Sequence, residues 1–449
     1  MEGMRGIPPI GIVSATAAPR YGDRRQGYGE QHRSSNDRHR SSSEQHHSSN
    51  EQHRNSNEQH HSSSEQQRSY GEQRWGFGRS RWRTGTSVPQ RVIAAGLLVL
   101  GALTACGDGA DRSGDSRVVA TSLAPSSSSG VPDLDAGQDL VHGLDAPWGL
   151  AFLPDGSALV AERDTGRILR VVPGTAAEPV YAVPEVAAAG EGGLLGLAVS
   201  PNYAEDRYVY AYFTAADENR IVRFRLGEPP EVIFSGIAAA SIHDGGRIAF
   251  GPDGMLYVGT GDASRPALSQ DPSSPNGKIL RLTPDGGPAP GNPTPDSPVY
   301  SLGHRNVQGL AWDSAGRLFA AEFGRNRADE INLIEPGRNY GWPEVEGVGG
   351  GDRFVDPLVT WDTSEASPSG VAIAGDMLYV AALRGERLWT VPLRDGALGT
   401  PTARLADRLG RLRTVAVAPD GALWLTTSNT DGRGDVRDGD DRIVRFPAR

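Results

Sequence analysis

Three histidines lie beyond residue 106: His142, His243 and His304. Two stand in glycine-rich loops ahead of apolar runs, in SIHDGGRIAFGPDG and LGHRNVQGLAW. Histidine changes charge near neutral pH and so serves as a general acid or base, and glycines beside it let backbone approach a ligand closely. A loop histidine with only a local hydrogen bond would give the same string, so this stretch alone leaves both readings open. Other loops add charge. Arg305 and Asn306 follow His304, Glu191 precedes two glycines in AGEGGLLGLAV, and Arg384 sits in ALRGERL. In GRLRTV, two-residue alternation puts Arg411 and Arg413 on one face of a strand. A single arginine is usually a solvated surface charge. Several aimed at one place imply a polyanionic ligand, because guanidinium matches carboxylates bidentately.

Something must bring these distant loops together. From about Asp135 the hydrophobic period is two and the punctuation is Gly, Pro, Asp and Asn, an all-β signature. One unit returns six times: a strand, a tight turn such as Pro-Asp-Gly, a second strand and a third. Its aligned alanines are Ala151, Ala198, Ala249, Ala311, Ala372 and Ala416. That spacing suits four-stranded blades with loops of unequal length, and no unit can bury both faces alone. A six-bladed β-propeller over residues 135–449 is expected, with a two-sheet sandwich or an open solenoid as the rival architectures. Closing the ring would gather the loops that open the blades at one end of a central channel.

The rest of the chain differs in kind. Residues 1–105 carry 14 arginines and 9 acidic residues, whereas the whole chain has a net charge of −10, so the remainder is strongly acidic and argues against a nucleic-acid partner. Residues 1–87 form a low-complexity tail with Glu44, Glu51, Glu58, Glu65 and Glu72 in a seven-residue phase. That heptad lacks the apolar positions of a coiled coil and reads as disordered, with weak metal binding by its histidine-rich tracts as the other reading. Residues 88–105 hold a short apolar run, Val92 to Leu103, behind Arg91. It ends in Leu-Thr-Ala-Cys and resembles a bacterial lipoprotein signal peptide. Cys106, the only cysteine, would then be lipidated and anchor the protein to the membrane outside the cytoplasm, and residues 106–134 would be a flexible linker. A signal belongs at an N-terminus, so translation is expected to start near Val88.

The blocks HDGGRIAFGPDG, GHRNVQGLAW, DEINLIEPGRNYGWP and GRLRTV resemble the soluble PQQ-dependent sugar dehydrogenases, the family of soluble glucose dehydrogenase and the aldose sugar dehydrogenases, over about residues 140–446. The resemblance implies a six-bladed propeller that oxidises the anomeric hydroxyl of aldoses to lactones with pyrroloquinoline quinone (PQQ) and calcium. It makes His243 the general base and Arg305 the stabiliser of charge at the reacting quinone oxygens. Asn306, Asp329, Arg384, Arg411 and Arg413 become cofactor-site residues, and the backbone carbonyls of Gly324 and Arg325 become calcium ligands. Glu330 and the backbone oxygen of Tyr340 are implied for a second, structural calcium.

Departures from the pattern bear on affinity and specificity. Glu191 replaces a cofactor-contacting glutamine, and its charge repels a tricarboxylate unless an arginine or calcium compensates. Arg325 stands in place of a proline, Arg384 in place of a lysine and Ile242 in place of an aspartate. Two other functions fit a propeller with such loops: a calcium-dependent lactonase-like hydrolase, and a non-catalytic surface propeller that binds a glycan or protein. The start-site reading predicts a precursor lacking residues 1–87. Intact mass or N-terminal sequencing that finds the tail attached would overturn it.

Overall fold

The computed structural model describes residues 130–449. The tail, the signal segment and Cys106 lie outside the described residues. Twenty-five strands form six sheets arranged as the blades of a propeller. The inner strands are Pro147–Phe152, Leu194–Val199, Arg247–Phe250, Val307–Trp312, Pro368–Ala374 and Leu412–Val417, and each carries one of the six aligned alanines. Each repeated unit is one inner, one second and one third strand. The outer strands, such as Glu178–Ala182 and Thr402–Arg404, carry little hydrophobic pattern because they are largely exposed.

The tight turns form for a local reason repeated around the ring. In the Pro-Asp-Gly turn of the first blade, Asp155 Oδ1 accepts the N–H of Ser157 at 3.0 Å while Gly156 takes φ 82°. Asp253 and Asp420 do the same for Met255 and Ala422, so an aspartate side chain closes each turn and glycine supplies its left-handed residue. These turns sit at the end of the ring opposite the loops that open the blades.

The buried apolar side chains divide into six clusters, one per blade-to-blade contact. Ile168 and Leu159 of the first blade meet Val209 and Leu194 of the second, and Trp424 of the sixth meets Val160 of the first. No blade owns a core, so stability is shared between neighbours and depends on closing the circle. Closure is made by Gln138–Val141, which pairs antiparallel with Ile443–Phe446 and supplies the outer strand of the sixth blade. The pairing extends outward to a bridge between Pro132 and Ala448.

Near the axis the inner strands approach so closely that side chains are excluded. A Cβ on Gly196 would lie 2.2 Å from the Gly246 carbonyl oxygen, and one on Gly309 2.4 Å from that of Ser369. In the third blade the corresponding residue is Arg247, which is buried and crosses the channel. Its Nε donates to the Gln308 carbonyl at 2.7 Å, another nitrogen donates to Thr414 Oγ1 at 3.0 Å, and the guanidinium lies 4.3 Å from the Trp148 ring centroid. Burial, with Arg413 nearby, pushes its pKa down to about 9. Lys278, the only lysine, is also fully buried, and its ammonium donates to the carbonyls of Leu268, Ser269 and Asn276 at 2.7, 3.1 and 2.8 Å.

Gly196→Val should destabilise the ring by about 2 kcal/mol or more, because its methyls meet backbone that has nowhere to go. Denaturant unfolding of the variant and the wild type measures this, and equal midpoints would show that the inner strands can spread.

Candidate functional site

In an antiparallel blade, the loop before the inner strand and the loop between the second and third strands emerge at the same end. The site is built from both sets. His243 precedes the inner strand of the third blade and takes φ 66°, an unusual value for a side chain of its size. Gly245 and Gly246 follow with positive φ, and a Cβ on Gly245 would lie 2.5 Å from backbone of Thr260. The two glycines thus let the histidine loop lie flat against the end of the neighbouring strand.

The ring of His243 is held at both nitrogens. Nδ1 lies 2.7 Å from Asp262 Oδ1, and Nε2 lies 2.8 Å from a terminal nitrogen of Arg305. Guanidinium can only donate, so Nε2 is the acceptor and Nδ1 carries the proton toward Asp262. Asp262 is fully buried and further fixed by the Ser264 N–H at 2.8 Å and the Trp342 indole N–H at 2.8 Å. Arg305 lies 5.4 Å from the Trp342 ring centroid and donates to the Phe323 carbonyl at 3.1 Å, while its buried Nε has no partner. Burial lowers the Arg305 pKa below the ordinary guanidinium value. Asn306 accepts the Gly245 N–H at 2.9 Å, and its buried Nδ2 is also without a partner.

Beside this group is a cavity of about 380 Å³. Arg163, Arg384, Arg411, Arg413 and Arg433 line it against only two carboxylates, Glu191 and Asp431. Asp164, which does not line the cavity, pairs with Arg163 at 2.6 Å, so two positive charges are left uncompensated. Arg411 donates twice to Asp431 Oδ2, at 3.1 and 2.9 Å, and Arg413 once at 3.3 Å. Arg413 also donates to Gln308 at 3.0 Å, its Nε is unpartnered, and burial pushes its pKa down to about 10. Burial alone would raise the Asp431 pKa, but Arg413 and Arg411 outweigh it and hold the carboxyl below its ordinary value. Glu191 has the compensation that its position demands: one oxygen pairs with Arg433 at 2.8 Å and the other accepts the His243 backbone N–H at 2.9 Å.

The remaining sequence candidates lie around the fourth blade. Asp329 is buried and binds the N–H groups of Gly324 and Ser367 at 2.9 and 2.5 Å, with burial raising its pKa to about 6. Gly324 and the exposed Arg325 form the loop after the second strand. Glu330 is buried, and its oxygens accept from Gly347 and Asn332 at 2.7 and 3.0 Å. Burial and then Glu322 raise its pKa. The Tyr340 ring stacks on His304. His304 is buried against Glu322 at 2.6 Å and Ser301 at 2.8 Å, a core role, whereas His142 lies on the surface. Among the described residues, no three or more His, Cys, Asp or Glu side chains group to hold a metal.

Sequence reading missed Asp262, Trp342, Arg163, Arg433 and Asp431. Asp262, Arg163 and Asp431 follow second strands, as Arg384 does, and asking which loops share an end of the ring would have found them.

Fold and site together define a class: six-bladed propellers with a cationic, ligand-sized cavity beside an Asp–His pair at one channel mouth. The glucose / sorbosone dehydrogenase family model matches residues 144–437, and the chain belongs to that family. The aldose sugar dehydrogenase of Streptomyces coelicolor, solved in its PQQ-bound form, is 55% identical with a TM-score of 0.68, covering 71% of this chain and all of that one. Aldose sugar dehydrogenase YliI of Escherichia coli is 29% identical over 64% of this chain and 89% of its own length. Quinoprotein glucose dehydrogenase B of Acinetobacter calcoaceticus is 34% identical over 46% of this chain and 52% of its own.

Asp431→Asn leaves two buried guanidinium groups without their carboxylate and should cost roughly 3 kcal/mol at pH 7. Because the folded pKa is depressed, the stabilisation from Asp431 is present above the unfolded value and lost as pH falls through the folded one. Wild-type and variant stability should therefore converge in acid. Denaturation at several pH values tests this, and curves that stay parallel would contradict it.

Proposed function

We propose that the protein is a PQQ- and calcium-dependent dehydrogenase that oxidises the anomeric hydroxyl of aldose sugars to lactones. The observation that carries the reading is the cavity with two surplus positive charges directly beside an oriented histidine. PQQ is a planar tricarboxylate, and the donor set suits it. Arg384, Arg411 and Arg413 would hold its carboxylates, and the unpartnered Arg305 Nε, Arg413 Nε and Asn306 Nδ2 are donors awaiting an acceptor. The Gly324 and Arg325 carbonyls would hold the catalytic calcium, a hard cation that takes oxygen ligands. The buried and unpartnered Asn332 Oδ1, bonded through its amide nitrogen to Glu330, supplies an oxygen where Glu330 and Tyr340 would hold the second. When bound, the quinone supplies the two-electron acceptor for hydride and the calcium polarises it as a Lewis acid.

The chain supplies the proton chemistry. With Nδ1–H directed at Asp262, the free lone pair of His243 is on Nε2, which takes the proton of the anomeric hydroxyl as the carbon's hydride departs. Asp262 stabilises the imidazolium that forms, and Trp342 and Ser264 keep that carboxylate in line. In this structure Arg305 donates to Nε2, so the substrate hydroxyl must take that place and free the guanidinium to face developing negative charge. Glu191 holds the backbone of the strained histidine, and its pairing with Arg433 answers the repulsion expected from a carboxylate near the cofactor. Lipidation at Cys106 would hold the enzyme at the outer face of the membrane, where electrons pass to an external acceptor.

The full chain, stripped of metal and given PQQ with and without calcium, should bind the quinone in a calcium-dependent manner and reduce dye with aldoses. Failure to bind with calcium present would favour a non-catalytic, surface-binding propeller. His243→Ala should lower turnover by about 10²–10⁴-fold with the fold intact. Wild-type turnover in that variant would remove the histidine from the mechanism. Cys106→Ser should move the protein from the membrane fraction to the soluble one.

A further inference from the structure

The loop that carries the expected calcium carbonyls is shaped by a residue no motif marks. Oε1 of Glu346 accepts four consecutive backbone N–H groups: Arg325 at 2.6 Å, Asn326 at 2.8 Å, Arg327 at 2.8 Å and Ala328 at 3.2 Å. Successive amides converging on one anion form a nest, a strongly oriented arrangement.

Two consequences follow. The peptides linking residues 324 to 328 are trans, and in a trans peptide the carbonyl of one residue points opposite to the N–H of the next. With the N–H groups of Arg325 and Asn326 turned toward Glu346, the carbonyls of Gly324 and Arg325 are turned away from it as an outward pair of oxygen donors. Asp329 pins the near end of the same loop by accepting the Gly324 N–H. The second consequence is electrostatic. Arg325 and Arg327 place two cations on the loop that must receive a cation, and Glu346 sets a negative charge behind it.

We propose that Glu346 is a positioning residue for the catalytic calcium: it aims the Gly324 and Arg325 carbonyls at the ion and offsets the loop's arginines without touching the metal. The proposal rests on the calcium-dependent reading above. The experiment titrates calcium into the full-length apo chain with PQQ present and follows bound-quinone absorbance, a binding readout independent of turnover. Glu346→Gln keeps an oxygen for the nest and loses the charge, and should raise the half-maximal calcium concentration about tenfold or more, as loss of outer-shell support does. Glu346→Asp should recover part of that loss. At saturating calcium, PQQ affinity should return to the wild-type value. An unchanged calcium midpoint in Glu346→Gln overturns the proposal, as does PQQ affinity that stays weak at saturating calcium, since that marks general damage to the loop. A wild-type chain that binds PQQ equally well without calcium, or not at all, would instead refute the functional reading.

Discussion

The pairing of Gln138–Val141 with Ile443–Phe446 is the constraint on which the structure depends. Each blade shares its core with two neighbours, so an open ring would leave the faces of the first and sixth blades bare. Closure also makes the site. Arg163 of the first blade, Glu191 of the second, Gln308 of the fourth, Arg384 of the fifth and Arg411 of the sixth meet around one cavity only because the circle is complete. Their positions in the chain are unrelated to their adjacency.

Inside that circle the dominant energetic problem is like charge. Arg247 and Arg413 are both buried near the axis, with Trp148 beneath both guanidinium groups. Asp431 neutralises part of the cluster by binding Arg411 and Arg413, while Arg247 relies on neutral acceptors and the indole face. Such an arrangement is costly in the free protein, since charges held in a low-dielectric interior lack solvent. It is what a site for a multiply anionic ligand requires, because the cationic groups are gathered before the ligand arrives.

Much of the fold was legible because it repeats. The six alanines mark the inner strands, and the Pro-Asp-Gly turns mark the hairpins, because local chemistry fixes both. The outer strands were not legible, since their exposed faces impose no alternation. In the site, His243 and the arginines stood out by type and by glycine neighbours. Asp262 did not, because VGTGD reads as the end of a strand and its partner lies 19 residues away. Glu346 is harder still: its role lies in four backbone N–H groups, and a nest has no side-chain signature. Glu191, read as a potential defect, is balanced by Arg433 from across the ring, which no local pattern could show.

The burial of Lys278 has a practical side. It is the sole lysine in the chain, and its ammonium is spent on three carbonyls with no surface exposed. The described surface therefore offers no side-chain amine. Succinimidyl esters, glutaraldehyde and other amine-seeking reagents would pass the propeller by, and its many carboxylates offer the alternative route for coupling it to an electrode or a resin.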